Sequence, residues 1–210
     1  MKLTYAAIFV AVIIGIFYFV PQSKPTPNDA NISEATDTKI SENTTKETTT
    51  MPTDPTKFEK ISATSAIIKT PKGEITLELY PNDAPKTVTN FATLAKNGYY
   101  DDLTFHRVEP NFVIQGGDPK GNGTGGTSIY GAKFEDELNP ESASYKIGYK
   151  EGVLAMANSG PDTNGSQFFI MLADNPNLPK NYTIFGLVTD GIEVVKKIEK
   201  GNVINTIEIK

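Results

Sequence analysis

His106 and Arg107 stand side by side in a strand-like stretch, Leu103–Val108, and they are the first residues in the chain whose types could do chemistry. His106 is the only histidine, which rules out a two-histidine metal site. A serine hydrolase would need it as base, yet no G-x-S-x-G elbow supplies the nucleophile. A lone histidine is more often a satisfied structural residue than a catalyst. Arg107 could equally occupy a plain surface-facing strand position. There is no cysteine, so disulfides, zinc-thiolate sites and thiol nucleophiles are excluded. Gly121-Asn122-Gly123-Thr124-Gly125-Gly126 matches G-x-G-x-x-G. A dinucleotide fingerprint must open a helix, and Thr127–Gly131 has no helical stripe, so the glycines read as a tight loop reaching the rim of a site. The acidic run Glu135-Asp136-Glu137 could suggest a metal, but a solvated loop or strand end is the simpler reading.

The elements that must position these residues come in three regions. Met1 and Lys2 precede an uncharged apolar run, Leu3 to Val20. As a helix it would span about 27 Å, close to the roughly 30 Å of a bilayer core. It is longer than a usual signal h-region and lacks a small-residue cleavage site. Residues 1–21 are therefore expected to be a transmembrane anchor, with a cleaved signal segment as the alternative. With Lys2 cytoplasmic, the rest of the chain would be membrane-anchored and extracytoplasmic, or secreted if cleaved. Residues 22–57 are rich in Thr, Ser, Pro and Asn, too polar to offset their chain entropy, and are expected to form a disordered linker. From residue 58 to 210 the pattern is mainly β. Ala66–Thr70, Pro71-Lys72-Gly73 and Glu74–Tyr80 read as a hairpin with Ile75, Leu77 and Leu79 facing inward. A helix follows, with Asp83 as N-cap, Pro85 in its first turn, and Val88, Phe91, Leu94 and Ala95 as its stripe before Gly98. Short strands are expected at 103–108, 112–116, 152–157, 167–172, 183–188 and 203–209, and a second helix at 192–198. Many short strands with only two helices predict a closed antiparallel barrel.

Two long stretches are more specific. Phe105 to Asp118 runs FHRVEPNFVIQGGD, and Met156 to Ile170 runs MANSGPDTNGSQFFI. At these residues, and again at Ser128–Gly131, Phe134–Glu137 and Phe185-Gly186, the chain closely resembles the cyclophilin-type peptidyl-prolyl cis–trans isomerases. The resemblance covers about 150 residues, everything after the linker. It implies a closed eight-stranded antiparallel cyclophilin-like barrel capped by two helices, and isomerase (rotamase) activity. It implies Arg107 as the central catalytic residue, with Gln115 and the Asn158 backbone orienting the substrate. Phe105, Phe112, Val113, Phe169 and Leu178 would wall a proline pocket, with His106, Ala157 and Tyr182 at its edge. From strand alternation alone, one member of each adjacent pair at Phe105 and at Phe168 must be core.

The chemistry explains why such residues suffice. An X-Pro amide resists rotation by about 18–20 kcal/mol because nitrogen shares its lone pair with the carbonyl. Nothing is cleaved, so neither nucleophile, metal nor cofactor is required, and none is expected. As the bond twists, the nitrogen lone pair localises and can accept a hydrogen bond that was weaker in the planar state. Arginine suits this as a rigid, charged fork, and an apolar pocket excludes water around it.

Three positions depart from the common family pattern. Val113 stands where Met is frequent, Tyr182 where His is frequent, and Asn177 where many members carry the Trp that contacts cyclosporin, which puts cyclosporin binding in doubt. The expected partners are proline-containing peptides and unfolded exported proteins, with the membrane contacted through residues 1–21 and a monomer as the working state. A net charge of −5 argues against nucleic acid. The alternative is a peptide-binding or chaperone module with the same fold, turnover being incidental.

Overall fold

In the computed structural model, residues 54–210 are described. Eight strands form one antiparallel sheet: β1 (Ser65–Thr70), β2 (Gly73–Leu79), β3 (Arg107–Glu109), β4 (Val113–Gly116), β5 (Val153–Met156), β6 (Phe168–Met171), β7 (Ile184–Asp190) and β8 (Thr206–Ile209). Three helices accompany them: α1 (Pro85–Lys96), α2 (Ala143–Ile147) and α3 (Ile192–Val195). The β1–β2 hairpin forms as its alternation requires, with Ile75, Leu77 and Leu79 buried. Thr70 closes its turn, accepting from Lys72 N at 3.1 Å and donating to Gly73 O at 2.9 Å.

The expected closed barrel is corrected. Strand order is β3-β4-β6-β5-β7-β2-β1-β8, and the terminal strands β3 and β8 do not pair with each other, leaving an open half-barrel. The chain segments just before these strands meet at a single short bridge, Thr104 to Val203, flanked by four backbone hydrogen bonds between residues 102–105 and 201–204. Both segments enter that meeting through left-handed residues, Asp102 (φ 61°) and Gly201 (φ 90°), so neither stays extended long enough to continue a ladder. The expected pair of helices also becomes three. The added one, α2, is five residues long and carries no apolar period that could announce it.

The expected membrane-spanning helix and the placement derived from it are corrected too. Among the described residues no helix is long and apolar enough to cross a membrane, and the longest, α1, has 12 residues. The anchor expected over residues 1–21 and most of the linker expected over 22–57 lie outside the described residues. The last linker residues form a 3-10 turn, Pro55–Lys57, capped by the Asp54 carboxylate accepting from Thr56 N at 3.1 Å.

The sheet is buried on both faces, and this positions the site. One face packs Ile114, Leu154, Met156, Phe168, Ile170 and Phe185 against the α1 stripe of Val88, Phe91 and Leu94. The opposite face carries a smaller cluster of Val113, Val153, Ala155, Phe169, Met171 and Ile184. Asp83 does not cap α1, whose N-cap is Ala84 without a side-chain bond. Instead, the Glu137 carboxylate accepts from Lys86 N (3.0 Å) and Thr87 N (2.8 Å), supplying the anion that a helix N-terminus attracts. Asp83 accepts from Ser144 N at 2.8 Å and so serves the start of α2.

Candidate active site

Register assembles the site. Arg107 lies directly opposite Gln115, Gln115 opposite Phe169, Phe169 opposite Ala155, and Ala155 opposite Ile184. Directly opposed residues share a face of a sheet. One transverse row therefore carries an arginine, an amide and an aromatic ring side by side on the face away from α1. Arg107 is held loosely on its edge strand: Nη1 donates to Gln115 Oε1 at 3.2 Å, Nε lies 3.7 Å from Glu109 Oε1, and the guanidinium lies 5.6 Å from the Phe112 ring centroid. The Gln115 amide is fixed from behind. Its Nε2 donates to Gln167 Oε1 at 2.9 Å, and Gln167 Nε2 donates in turn to Gly125 O at 2.8 Å. With its amide group so oriented, Gln115 presents its oxygen to Arg107.

A cavity of about 190 Å³ opens on this row, lined by Arg107, Phe112, Val113, Gln115, Ala157, Asn158, Phe169, Leu178 and Tyr182. Nine of the eleven residues expected at the site thus meet in one pocket. Phe169 and Tyr182 meet edge to face, centroids 5.5 Å apart, which forms a rigid aromatic corner. A second cavity, about 310 Å³, adjoins it through Gln115, Ala157 and Asn158, and is bounded by Gly123, Gly125, Lys133 and Thr163.

Two expected residues stand elsewhere. Phe105 is wholly buried in the main core, its ring under Gly116, where an added Cβ would come within 3.3 Å of it. His106 is buried behind Arg107, lining a neighbouring cavity of about 300 Å³ with Glu109, Asn122 and Lys200, and neither ring nitrogen has a hydrogen-bond partner. Burial holds its imidazole below the usual pKa; Asp118 opposes this, while Arg107 and Lys200 add to it. His106 thus packs beside the site and does not line the 190 Å³ pocket.

Tyr149 was not singled out from the sequence, and the role of the acidic run was not read from it. Tyr149 donates to Tyr182 O (2.9 Å) and accepts from Tyr182 N (3.0 Å), clamping the main chain that carries a pocket wall. Burial pushes its phenol up to about 12, so it stays a donor. The acidic run follows the Phe134–Asn164 bridge and, although Glu135 stays exposed, all three carboxylates are bonded into the fold. Glu135 pairs with Lys86, Glu137 caps α1, and Asp136 accepts from Asn164 Nδ2 (2.7 Å), Asn158 Nδ2 (3.3 Å) and Asp162 N (2.9 Å). Asp136 therefore steadies the Asn158 segment at the pocket mouth. No cluster able to hold a metal exists among the described residues.

The glycine loop wraps a buried carboxylate. Asp118 accepts from Lys120 N (2.8 Å), Asn122 N (3.0 Å) and Gly123 N (2.6 Å). Burial works to raise its pKa, but these backbone donors outweigh it and hold the group below the ordinary value. Gly125 cannot be larger, because a Cβ there would collide with the same carboxylate. The loop is thus a structural cradle whose rim, Gly123 to Gly125, bounds the second cavity. It is not a nucleotide site.

Comparison with known proteins agrees with this geometry. Residues 65–210 match the family model described as cyclophilin type peptidyl-prolyl cis-trans isomerase. The chain is 55% identical over 139 residues to peptidyl-prolyl cis-trans isomerase-like 1 of Neurospora crassa, covering 65% of this chain and 81% of that protein. It is 56% identical over 131 residues to peptidyl-prolyl cis-trans isomerase ppi1 of Schizosaccharomyces pombe, covering 62% and 82%. Among solved structures, a Cryptosporidium parvum cyclophilin type isomerase crystallised in the presence of the dipeptide Ala-Pro is similar, with TM-score 0.64 and 38% identity over 70% of this chain and 98% of that one. A pocket of aromatic and aliphatic walls with one arginine at its mouth, on this half-barrel and with this family match, leads to one assignment: the chain belongs to the cyclophilin-type peptidyl-prolyl cis–trans isomerases and is an enzyme of that activity.

Proposed function

We propose that this isomerase, in a domain running from about residue 58 to 210, turns X-Pro bonds in the 190 Å³ pocket, with Arg107 as the catalytic group. The observation that carries the reading is the Arg107 guanidinium at the edge of a cavity walled on one side by Phe112, Val113, Phe169 and Leu178, braced by Gln115 and the Phe112 ring. The proline ring enters between Phe112, Val113, Phe169 and Leu178. As the amide twists, the prolyl nitrogen gains a localised lone pair and an Arg107 N–H donates to it; the planar ground state offers that donor much less, which is what makes the contact catalytic. Gln115 and the Asn158 main chain hold the peptide preceding the proline, over the second cavity, while the other side turns. No proton is transferred, consistent with the pocket's lining: it contains no carboxylate and no histidine.

The clients are polypeptides presenting X-Pro in an extended, accessible segment. Exchange spectroscopy on a proline peptide such as Ala-Ala-Pro-Phe tests the assignment. The full chain should produce cis–trans exchange at substoichiometric concentration, and Gln115→Leu should slow it about tenfold, since one charge-assisted brace worth about 1.5 kcal/mol is lost. Binding without exchange would identify a peptide-docking module instead.

A further inference from the structure

A third depression, about 310 Å³, shares Leu178 with the proline pocket and no lining residue with the Gln115–Asn158 cavity. Its floor is Ile147, Tyr149 and Leu178, which belong to the same apolar cluster as Val113, Phe169 and Tyr182. Its rim is basic: Lys146, Lys150 and Lys180 line it, against one acid, Asp174. Lys146 is paired with Glu141 at 3.1 Å. Lys180 is held over the Tyr145 ring, 4.4 Å from its centroid, and donates to Tyr145 O at 2.8 Å. Neither contact neutralises the Lys180 charge, and among the described residues no carboxylate pairs with Lys150 or Lys180. Asp174 accepts from Glu151 N at 2.9 Å, which directs it to the backbone. Lys150 and Lys180, without carboxylate partners among the described residues, and the single acid Asp174 thus leave the rim of an apolar trough net basic in a chain whose net charge is −5.

We infer that this trough is a specificity subsite for the residues following the proline, and that it selects an apolar side chain followed by a carboxylate. The inference rests on the proposed reading that Gln115 and Asn158 hold the residues before the proline. A chain that crosses the pocket then leaves over Leu178. At about 3.3–3.6 Å per extended residue, the first one or two residues beyond the proline reach Ile147 and Tyr149, and the next reaches the lysines. Apolar continuity supplies the contact area, and charge complementarity supplies the choice between sequences.

The test uses the full chain and three peptides, Ala-Ala-Pro-Phe, Ala-Ala-Pro-Phe-Glu-Glu and Ala-Ala-Pro-Phe-Gln-Gln, amidated at their C-termini, with kcat/KM read by NMR exchange and binding read by backbone amide shifts. The Glu-Glu peptide should exceed the Gln-Gln peptide by about three- to tenfold at low salt, and should move the Gly148 and Lys150 amides. Lys150→Glu combined with Lys180→Gln should abolish that ratio while leaving Ala-Ala-Pro-Phe within twofold. Equal values for the two long peptides, or a ratio that survives the double substitution, overturns the subsite. So do amide shifts at the trough that follow protein concentration rather than peptide, which would mark a contact between copies. If no peptide turns over, the catalytic reading fails by itself, and the amide shifts still decide whether the trough takes the carboxylates.

Discussion

Replacing Arg107 with alanine removes the only cationic donor lining the proline pocket while touching little that holds the fold together. A hydrogen bond to a charged group contributes about 1.5–3 kcal/mol, and each 1.4 kcal/mol is about tenfold in rate, giving a loss of about 10- to 150-fold. The Arg107 side chain is 44% exposed, so water competes for its donors and the lower half of that range is expected. Stability should barely change. The Glu109 partner at 3.7 Å is exposed as well, and such pairs contribute about 0–1 kcal/mol, or less than about 4 °C in melting temperature for a domain of this size. Arg107→Lys separates charge from geometry. A lysine keeps the cation but has no fork to lean on Gln115 and reach a prolyl nitrogen together, so it should recover only part of the rate. A protease-coupled or exchange assay on Ala-Ala-Pro-Phe, with melting measured alongside, reads all three proteins. Arg107→Ala within twofold of the parent, at unchanged peptide affinity, would refute the transition-state contact.

Tyr149→Phe takes away both bonds to the Tyr182 main chain. It should cost about 1–3 kcal/mol of stability and raise KM severalfold with kcat nearly constant; chemical denaturation and peptide kinetics check it. Glu137→Ala leaves the Lys86 and Thr87 amides at the start of α1 uncapped, costing about 1–2 kcal/mol, a fall of roughly 2–8 °C at this size that calorimetry would register. His106 has a folded pKa depressed from 6.5, chiefly by burial, so its contribution is complete above that value and is lost as pH falls through the folded one. The melting temperature should therefore drop between pH 7.5 and pH 5.5, and His106→Gln should flatten that drop; parallel curves for the two proteins would contradict it.

Much of the fold is legible in the sequence, because period-two patterns report burial directly. Ile75, Leu77 and Leu79 alternate and are buried, and the 88, 91, 94, 95 stripe packs on the sheet as its spacing requires. Nine of the eleven expected site residues line one cavity; seven of these lie in the two long motifs, while Leu178 and Tyr182 lie outside them. What alternation could not resolve is which face of a doubly buried strand is which. Phe168 and Phe169 are both buried aromatics, yet one fills the main core and the other walls the pocket. Phe105 fell on the wrong side for the same reason. Nor can local pattern register bonds between distant segments: Asp83 looked like the cap of the helix beside it, whereas Glu137, 50 residues away from Thr87, does that work. Whether a sheet closes also depends on chain geometry at its ends, here two left-handed residues, Asp102 and Gly201.

The doubly buried sheet accounts for how an exposed arginine can still be placed with enough precision to act. Arg107 is on a three-residue edge strand, the position with the fewest constraints on a side chain. Its order must come from its neighbours across the sheet, and these become steadily more fixed inward. Gln115 is half-buried and bonded to Gln167, Gln167 is buried and bonded to the Gly125 carbonyl, and Gly125 is pressed against the Asp118 carboxylate that gathers the glycine loop. Rigidity thus runs from a buried anion to a surface cation through two amides, without burying the cation. Burying Arg107 would have charged the fold several kcal/mol in desolvation and shut the mouth of the pocket. Leaving it unbraced would have spent its hydrogen bond on ordering a flexible chain. The relay avoids both, which is why Gln167, which lines the second cavity but not the 190 Å³ pocket, should influence kcat through Gln115.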